Sequence, residues 1–300
     1  MQFSKRTRIL VALSLGVLLV IALYALTRGE DAEVTPTPPV TETPTDNEPV
    51  VEMRRTKVIG TSVNGREIIA HEYGTGDTHI LFVGGIHGGY EWNSTLLAYK
   101  YIDHLDAHYT ELPESVTVSV IPALNPDGIY TVTQKEGRFT EADVLFEDTT
   151  AGMGRFNANN VDLNRNFACK WQPKSTWRGN EVSAGTYAFS EPEAQALKLY
   201  VETMHPDGVV FWHSQANAVY ASECENGVLP STYTLMNTYA NAAGYKSVAT
   251  FDAYPVTGDA EGWLASIGIP AITVELATHE TLEWDKNLQG INALVSNYGK

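Results

Sequence analysis

Positive charge and cysteine are both scarce in this 300-residue chain. Twenty Lys and Arg stand against thirty-six Asp and Glu, a formal net charge of −16. Phosphate binding needs clustered Lys and Arg, and no basic stripe runs through the body of the chain, which argues against a nucleic-acid partner. Acidity of this kind mostly serves solubility, with a mild bias toward cationic ligands. There are only two cysteines, Cys169 and Cys224, 55 positions apart. Two cannot furnish a closed structural metal site built on Cys. In an exported domain they are expected to pair with each other. Internal repeats are also lacking.

The first residues have the marks of a membrane signal. Lys5, Arg6 and Arg8 precede an apolar run from Ile9 to Leu26, broken only by Ser14, Gly16 and Tyr24. As a helix that run would span about 27 Å, near the hydrocarbon thickness of a bilayer. It is longer than the apolar region of a cleaved signal peptide, and it offers a poor cleavage site and no lipid-accepting Cys. Residues 1–28 are therefore expected to be a signal-anchor, with secretion after cleavage as the alternative. The positive flank stays inside and the rest of the chain lies outside the cell membrane. Membrane contact is expected through this segment alone. Residues 29–52 hold five Pro between Gly29 and Pro49 and no aromatic residue there, so they read as a disordered tether. Residues 53–300 are long enough for one large domain.

Within that domain, apolar runs alternate with helical patterns. Thr78–His87, Val116–Asn125, Gly208–Ser214 and Ala271–Leu276 are apolar on both faces, as central strands covered on both sides should be. Helical patterns follow each run, and Ser190 with Glu193 reads as a capping box. The expected fold is α/β, a mixed, largely parallel sheet with helices on both faces. Ligands in such folds sit beyond the carboxyl ends of strands, where His87, Asn125, His213 and Glu275 all lie.

Four stretches combine into a candidate metal centre. "GGIHGGYEWN" offers His87 and Glu91, "VVFWHSQ" offers His213, and "AITVEL" carries a lone carboxylate, Glu275. Two His and one Glu leave a coordination position open for water, the composition of a catalytic zinc site. Gly84, Gly85, Gly88 and Gly89 allow a sharp turn beside an ion. His213 could equally be a hydrogen-bonded core histidine, and Glu275 half of a buried salt bridge. An unpaired carboxylate inside an apolar strand more often has a metal or catalytic reason. "RFNANNVDLNRNF" adds Arg155, Asn164 and Arg165, whose guanidinium forks suit a carboxylate or a developing oxyanion.

Taken together and in order, these phrases resemble the zinc carboxypeptidases of the carboxypeptidase A type, from about Arg55 to the C-terminus. "NPDG" and "FSEPE" are further family-like phrases. The resemblance implies one zinc ion on His87, Glu91 and His213, with Glu275 as general base and Arg155 as oxyanion partner. It implies that Asn164, Arg165 and Tyr254 hold the free carboxylate of a peptide substrate. In the family two residues separate the first two ligands, whereas three separate His87 from Glu91, so the extra residue is expected to bulge in the turn. The resemblance also places Glu261, two residues before Trp263, on the floor of the specificity pocket. From there it would favour Lys or Arg at the substrate's end, with Asp259 as a second candidate in the same Gly-containing loop. Two other functions compete: a related zinc amidase acting on cell-wall peptides or acylated amino acids, and an inactive binding domain.

Overall fold

The computed structural model describes residues 53–145, 151–252 and 254–300. The expected signal-anchor and tether, residues 1–52, lie outside the described residues. Among the described residues no helix is long and apolar enough to cross a membrane.

The chain opens with an antiparallel hairpin, β1 (Arg54–Thr61) and β2 (Glu67–Tyr73). Then come β3 (Thr78–Val83), α1 (Trp92–His108), β4 (Val116–Ile121) and α2 (Pro126–Thr133). A small hairpin, β5 (Lys174–Trp177) and β6 (Asn180–Ser183), precedes α3 (Pro192–Met204), β7 (Gly208–Ser214) and β8 (Ala218–Ala221). A second small hairpin, β9 (Glu223–Cys224) and β10 (Gly227–Val228), leads to α4 (Pro230–Ala243) and β11 (Lys246–Val248). The last elements are α5 (Ala260–Ser266), β12 (Ala271–Leu276) and α6 (Trp284–Tyr298).

Eight of the described strands form one sheet in the order β1-β2-β4-β3-β7-β12-β8-β11. Its centre, β4-β3-β7-β12, is parallel throughout. Antiparallel pairs join β2 to β4 and β12 to β8 on either side. All seven residues of β7 are buried, which is why the strand reads as a continuous apolar run. The outer strand β1 is largely exposed, and its sequence is correspondingly polar.

Strand alternation divides the core in two. Ile80, Phe82, Val210, Trp212, Ile272 and Val274 point toward α1, α4 and α6. Leu81, Val83, Val209, Phe211 and Ala271 point toward α3 and α5. By the period of two, His213 falls on the second face with Val209 and Phe211, and Glu275 falls there with Ala271. Parallel pairing sets His213 directly beside Glu275.

Three expectations need correction. Glu191, not Ser190, is the residue before α3, and the capping box is not formed. Ser190 Oγ instead donates to Glu191 Oε1, while Glu193 accepts from Val63 N and Asn157 Nδ2. Pro192 at the start of α3 leaves fewer backbone donors for a cap to satisfy. The segment read as a Gly-containing loop around Asp259 and Glu261 is the helix α5, capped by Asp259 Oδ2 on Gly262 N at 2.7 Å. The runs from Thr78 and Val116 leave the sheet at Val83 and Ile121. Cys169 and Cys224 form the expected disulfide.

Candidate metal and active site

His87 and Glu91 come from the turn between β3 and α1. Gly88 follows His87 with φ +45°, and a Cβ there would strike Gly154 O and Gly128 Cα. One short 3-10 turn, Gly88–Glu91, takes up the extra residue, so a helical turn rather than a bulge brings Glu91 back toward His87. His213 arrives from the end of β7. One ligand atom from each of His87, Glu91 and His213 lies within 4.8 Å of the others, and all three residues are buried.

His213 stands between two carboxylates. Its Nδ1 is 3.0 Å from Glu91 Oε2, and its Nε2 is 3.1 Å from Glu261 Oε1. The first contact lacks hydrogen-bond alignment, so Glu91 Oε2 has no hydrogen-bond partner. His87 Nδ1 faces Asp162 Oδ1 at 3.6 Å, too far for a hydrogen bond. Its Nε2 lies 3.2 Å from Arg155 Nη2, and since guanidinium only donates, that nitrogen is the acceptor. Arg155 is committed elsewhere too, through Nε and Nη2 to Asp162 Oδ2 at 3.1 and 2.9 Å. Its Nη1 is turned to Glu91 Oε1 at 3.9 Å. The guanidinium lies over Trp177 and Tyr90 at 4.6 and 5.4 Å from the ring centroids.

Glu275 is half-buried, but its Oε2 is enclosed and without a hydrogen-bond partner. His87 Nδ1 and Glu91 Oε2 share that condition. An enclosed polar atom left unbonded costs about 1–3 kcal/mol, so three around one histidine mark a place where a ligand completes the bonding. Two imidazoles and a carboxylate are the donor set for zinc with an open position. The residues fit the ion.

The charges carry the same signature. Burial, with Glu91 close by, pushes the Glu275 carboxyl up to about 8. Burial, with Arg155 beside it, holds His87 well below the usual imidazole range. Burial works against a charged His213, but Glu91 and Glu261 more than offset it and hold it well above. A cation among these carboxylates would favour their ionised forms and draw Glu275 back down.

The structure thus brings together His87, Glu91, His213, Glu275 and Arg155. Arg165 is buried, its Nη1 donates to Asn164 O at 2.6 Å, and its Nε has no partner. It is close enough to His87 to lower its pKa. Asn164 Oδ1 accepts from Ala260 N at 2.8 Å and so fastens the start of α5. Tyr254 stands apart from this group, 41% exposed, with its ring edge against Phe251.

Glu261 does not form an open pocket floor. It is 4% exposed, and Thr273 Oγ1 and His213 Nε2 both bond its Oε1. Asp259 is spent on its helix cap, and burial with Glu261 nearby pushes it up to about 6. Sequence reasoning also missed Asp162, although a carboxylate between Val161 and Leu163 carries the same signal as Glu275. The chain Asn93–Ser214–His279, which steadies the end of β7, had no signal at all. Ser214 Oγ donates to Asn93 Oδ1 at 3.0 Å and bonds His279 Nδ1 at 2.9 Å.

Comparison with known proteins gives a consistent picture. A model of the zinc carboxypeptidase family matches residues 50–291. The gamma-D-glutamyl-L-diamino acid endopeptidase 1 of Lysinibacillus sphaericus is 24% identical over 240 residues, covering 73% of this chain and 60% of that protein. Carboxypeptidase B2 of Bos taurus is 26% identical over 217 residues, covering 64% of this chain and 49% of that protein. The chain therefore spans less than two thirds of either relative. Bovine thrombin-activatable fibrinolysis inhibitor, solved in complex with tick carboxypeptidase inhibitor, shares the fold. Its TM-score is 0.63 at 20% identity, over 83% of this chain and 89% of that one.

Proposed function

The chain belongs to the zinc carboxypeptidase family, and on that premise we propose that it removes the C-terminal residue from peptides by hydrolysis. Its cofactor is one zinc ion, and His87, Glu91 and His213 are the residues that would hold it. Bound there, zinc would supply Lewis-acid polarisation of the scissile carbonyl and a water of lowered pKa. The observation that carries the reading is the placement of Glu275 beside His213, on the same sheet face, with Oε2 enclosed and unpartnered.

Each side chain has a part to play. Glu275 takes a proton from the attacking water and returns it to the leaving amine as the C–N bond breaks. Arg155 keeps Nη1 for the oxygen that gains charge, because Asp162 immobilises the rest of its guanidinium. Arg165, buried with a free Nε, is the cation suited to a terminal carboxylate. Tyr254 would have to swing in from its exposed loop to cover the substrate, and Asn164 contributes by fastening α5. All ligands and the base are present, which disfavours an inactive binding domain.

A second reading is cleavage of a γ-D-glutamyl–diamino acid bond in a cell-wall peptide. Its support is the relative matching 73% of this chain, named for that linkage. Three substrates separate the two readings: a peptide with a free C-terminus, the same peptide amidated, and a γ-D-glutamyl–diamino acid peptide. Carboxypeptidase action requires chelator-sensitive release of the last amino acid from the free form only. Equal cleavage of free and amidated peptides, or turnover of the γ-linked substrate alone, would replace it with the second reading. We place the catalytic domain outside the membrane, held by residues 1–28. The disulfide supports this by fitting an oxidising compartment, and cleavage of the domain from intact cells by added protease would test it.

A further inference from the structure

The two histidines of the site are backed in different ways. Asp162, behind His87, is already bound twice by Arg155, so its charge is balanced before any metal arrives. Behind His213 stands Glu261, and among the described residues its only ion-pair partner is His213 itself. A carboxylate with 4% exposure and one imidazole for a counter-charge is costly to keep.

Its position is built with care. α5 carries Glu261 in its first turn, and Asn164 and Asp259 secure that turn through Ala260 N and Gly262 N. Trp263, two residues on, stacks on Phe167 at 5.6 Å, and Gly258 is bonded to both Phe167 N and Cys169 O. Thr273, on β12 two residues before Glu275, donates to the same Oε1 that receives His213. Glu261 therefore sits between the strand of the third ligand and the strand of the base. Its hydrogen bond occupies Nε2 of His213 and leaves Nδ1, beside Glu91, as the nitrogen that offers a lone pair to a metal once the ring is neutral.

We propose that Glu261 is a positioning residue for the zinc ion. By accepting from His213 Nε2 it fixes the ring's orientation and tautomer and makes Nδ1 a stronger donor to the metal. This rests on the zinc reading above and replaces the expectation that Glu261 selects the substrate's side chain. Partners of this kind typically contribute 10–100-fold in metal affinity.

The test measures zinc binding to the full protein directly, by competition with a chromophoric chelator, for wild type, Glu261→Gln and Glu261→Ala. Gln keeps an acceptor but loses the charge, so it should weaken zinc about tenfold, and Ala about 100-fold. Zinc release to excess chelator should quicken in the same order, and the visible spectrum of the cobalt-loaded protein should shift. A purely structural role would lower the unfolding midpoint of the zinc-free variants instead, with zinc affinity intact. If Glu261→Ala does not fold, the near-isosteric Gln variant decides alone. Wild-type zinc affinity in Glu261→Gln overturns the proposal. So does a changed kcat/KM ratio for peptides ending in Arg and Phe with zinc affinity unmoved, which would restore Glu261 as a specificity residue. A wild-type protein that binds no zinc would instead overturn the zinc reading of the site.

Discussion

Replacing Glu275 with Gln should abolish catalysis and, without zinc, give the protein a stability advantage over wild type that grows as pH rises. In the unfolded chain this carboxyl titrates at its ordinary value of 4.5, whereas in the fold burial and Glu91 raise it to about 8. Between those values the folded protein keeps a proton that the unfolded chain releases. The stability linked to that group is complete below pH 4.5 and is lost as pH climbs toward 8. At pH 7 the loss is about 3 kcal/mol, from 2.5 pH units at about 1.36 kcal/mol each, and at pH 5 it is under about 1 kcal/mol. Gln does not titrate, so the advantage of Glu275→Gln over wild type should grow by roughly 2–3 kcal/mol between pH 5 and pH 7. Urea unfolding of both proteins after chelator treatment measures this. Added zinc should remove the pH dependence, because a nearby dication favours the ionised carboxylate. A stability gap that stays flat across this range, within about 0.5 kcal/mol, would refute the claim that Glu275 is kept protonated by its surroundings.

His213→Ala should lose most bound zinc, read by metal analysis after dialysis, and activity with it; full metal content and full rate would remove His213 from the ligand set. Arg155→Ala leaves Asp162, which is 0% exposed, without its guanidinium. It should cost about 3–5 kcal/mol in chemical unfolding and about 10²–10³-fold in kcat. Asn164→Ala leaves the Ala260 amide unbonded and should cost about 1–3 kcal/mol, with a rate loss smaller than that of Arg155→Ala. Replacing Cys169 and Cys224 together opens a loop of 55 residues and should lower unfolding stability by about 2–4 kcal/mol.

The centre of the fold was legible because of where it sits. β7 and β12 are covered on both faces, so hydrophobicity alone marks them, and a lone His or Glu in such a run stands out. The margins were not legible. β1 is exposed, β8 and β11 are four and three residues long, and α5 is a seven-residue helix. Such elements have too few buried positions to write a period into the sequence.

Residue chemistry and strand position alone singled out His87, Glu91 and His213 as a candidate donor set and Glu275 as an unpaired carboxylate beside it. These residues close apolar strands or follow a glycine turn, and a polar group is costly there without a purpose. Which carboxylate stands behind which histidine was decided only by tertiary structure. Asp162 and Glu261 are 75 and 48 positions from the histidines they face. What brings each of them in is a loop or a short helix docking on the sheet. The same holds for Asn164, whose side-chain carbonyl accepts from a backbone amide 96 residues away. Hydrogen-bond partners over such separations follow from the relative placement of elements, which no local pattern in the chain encodes.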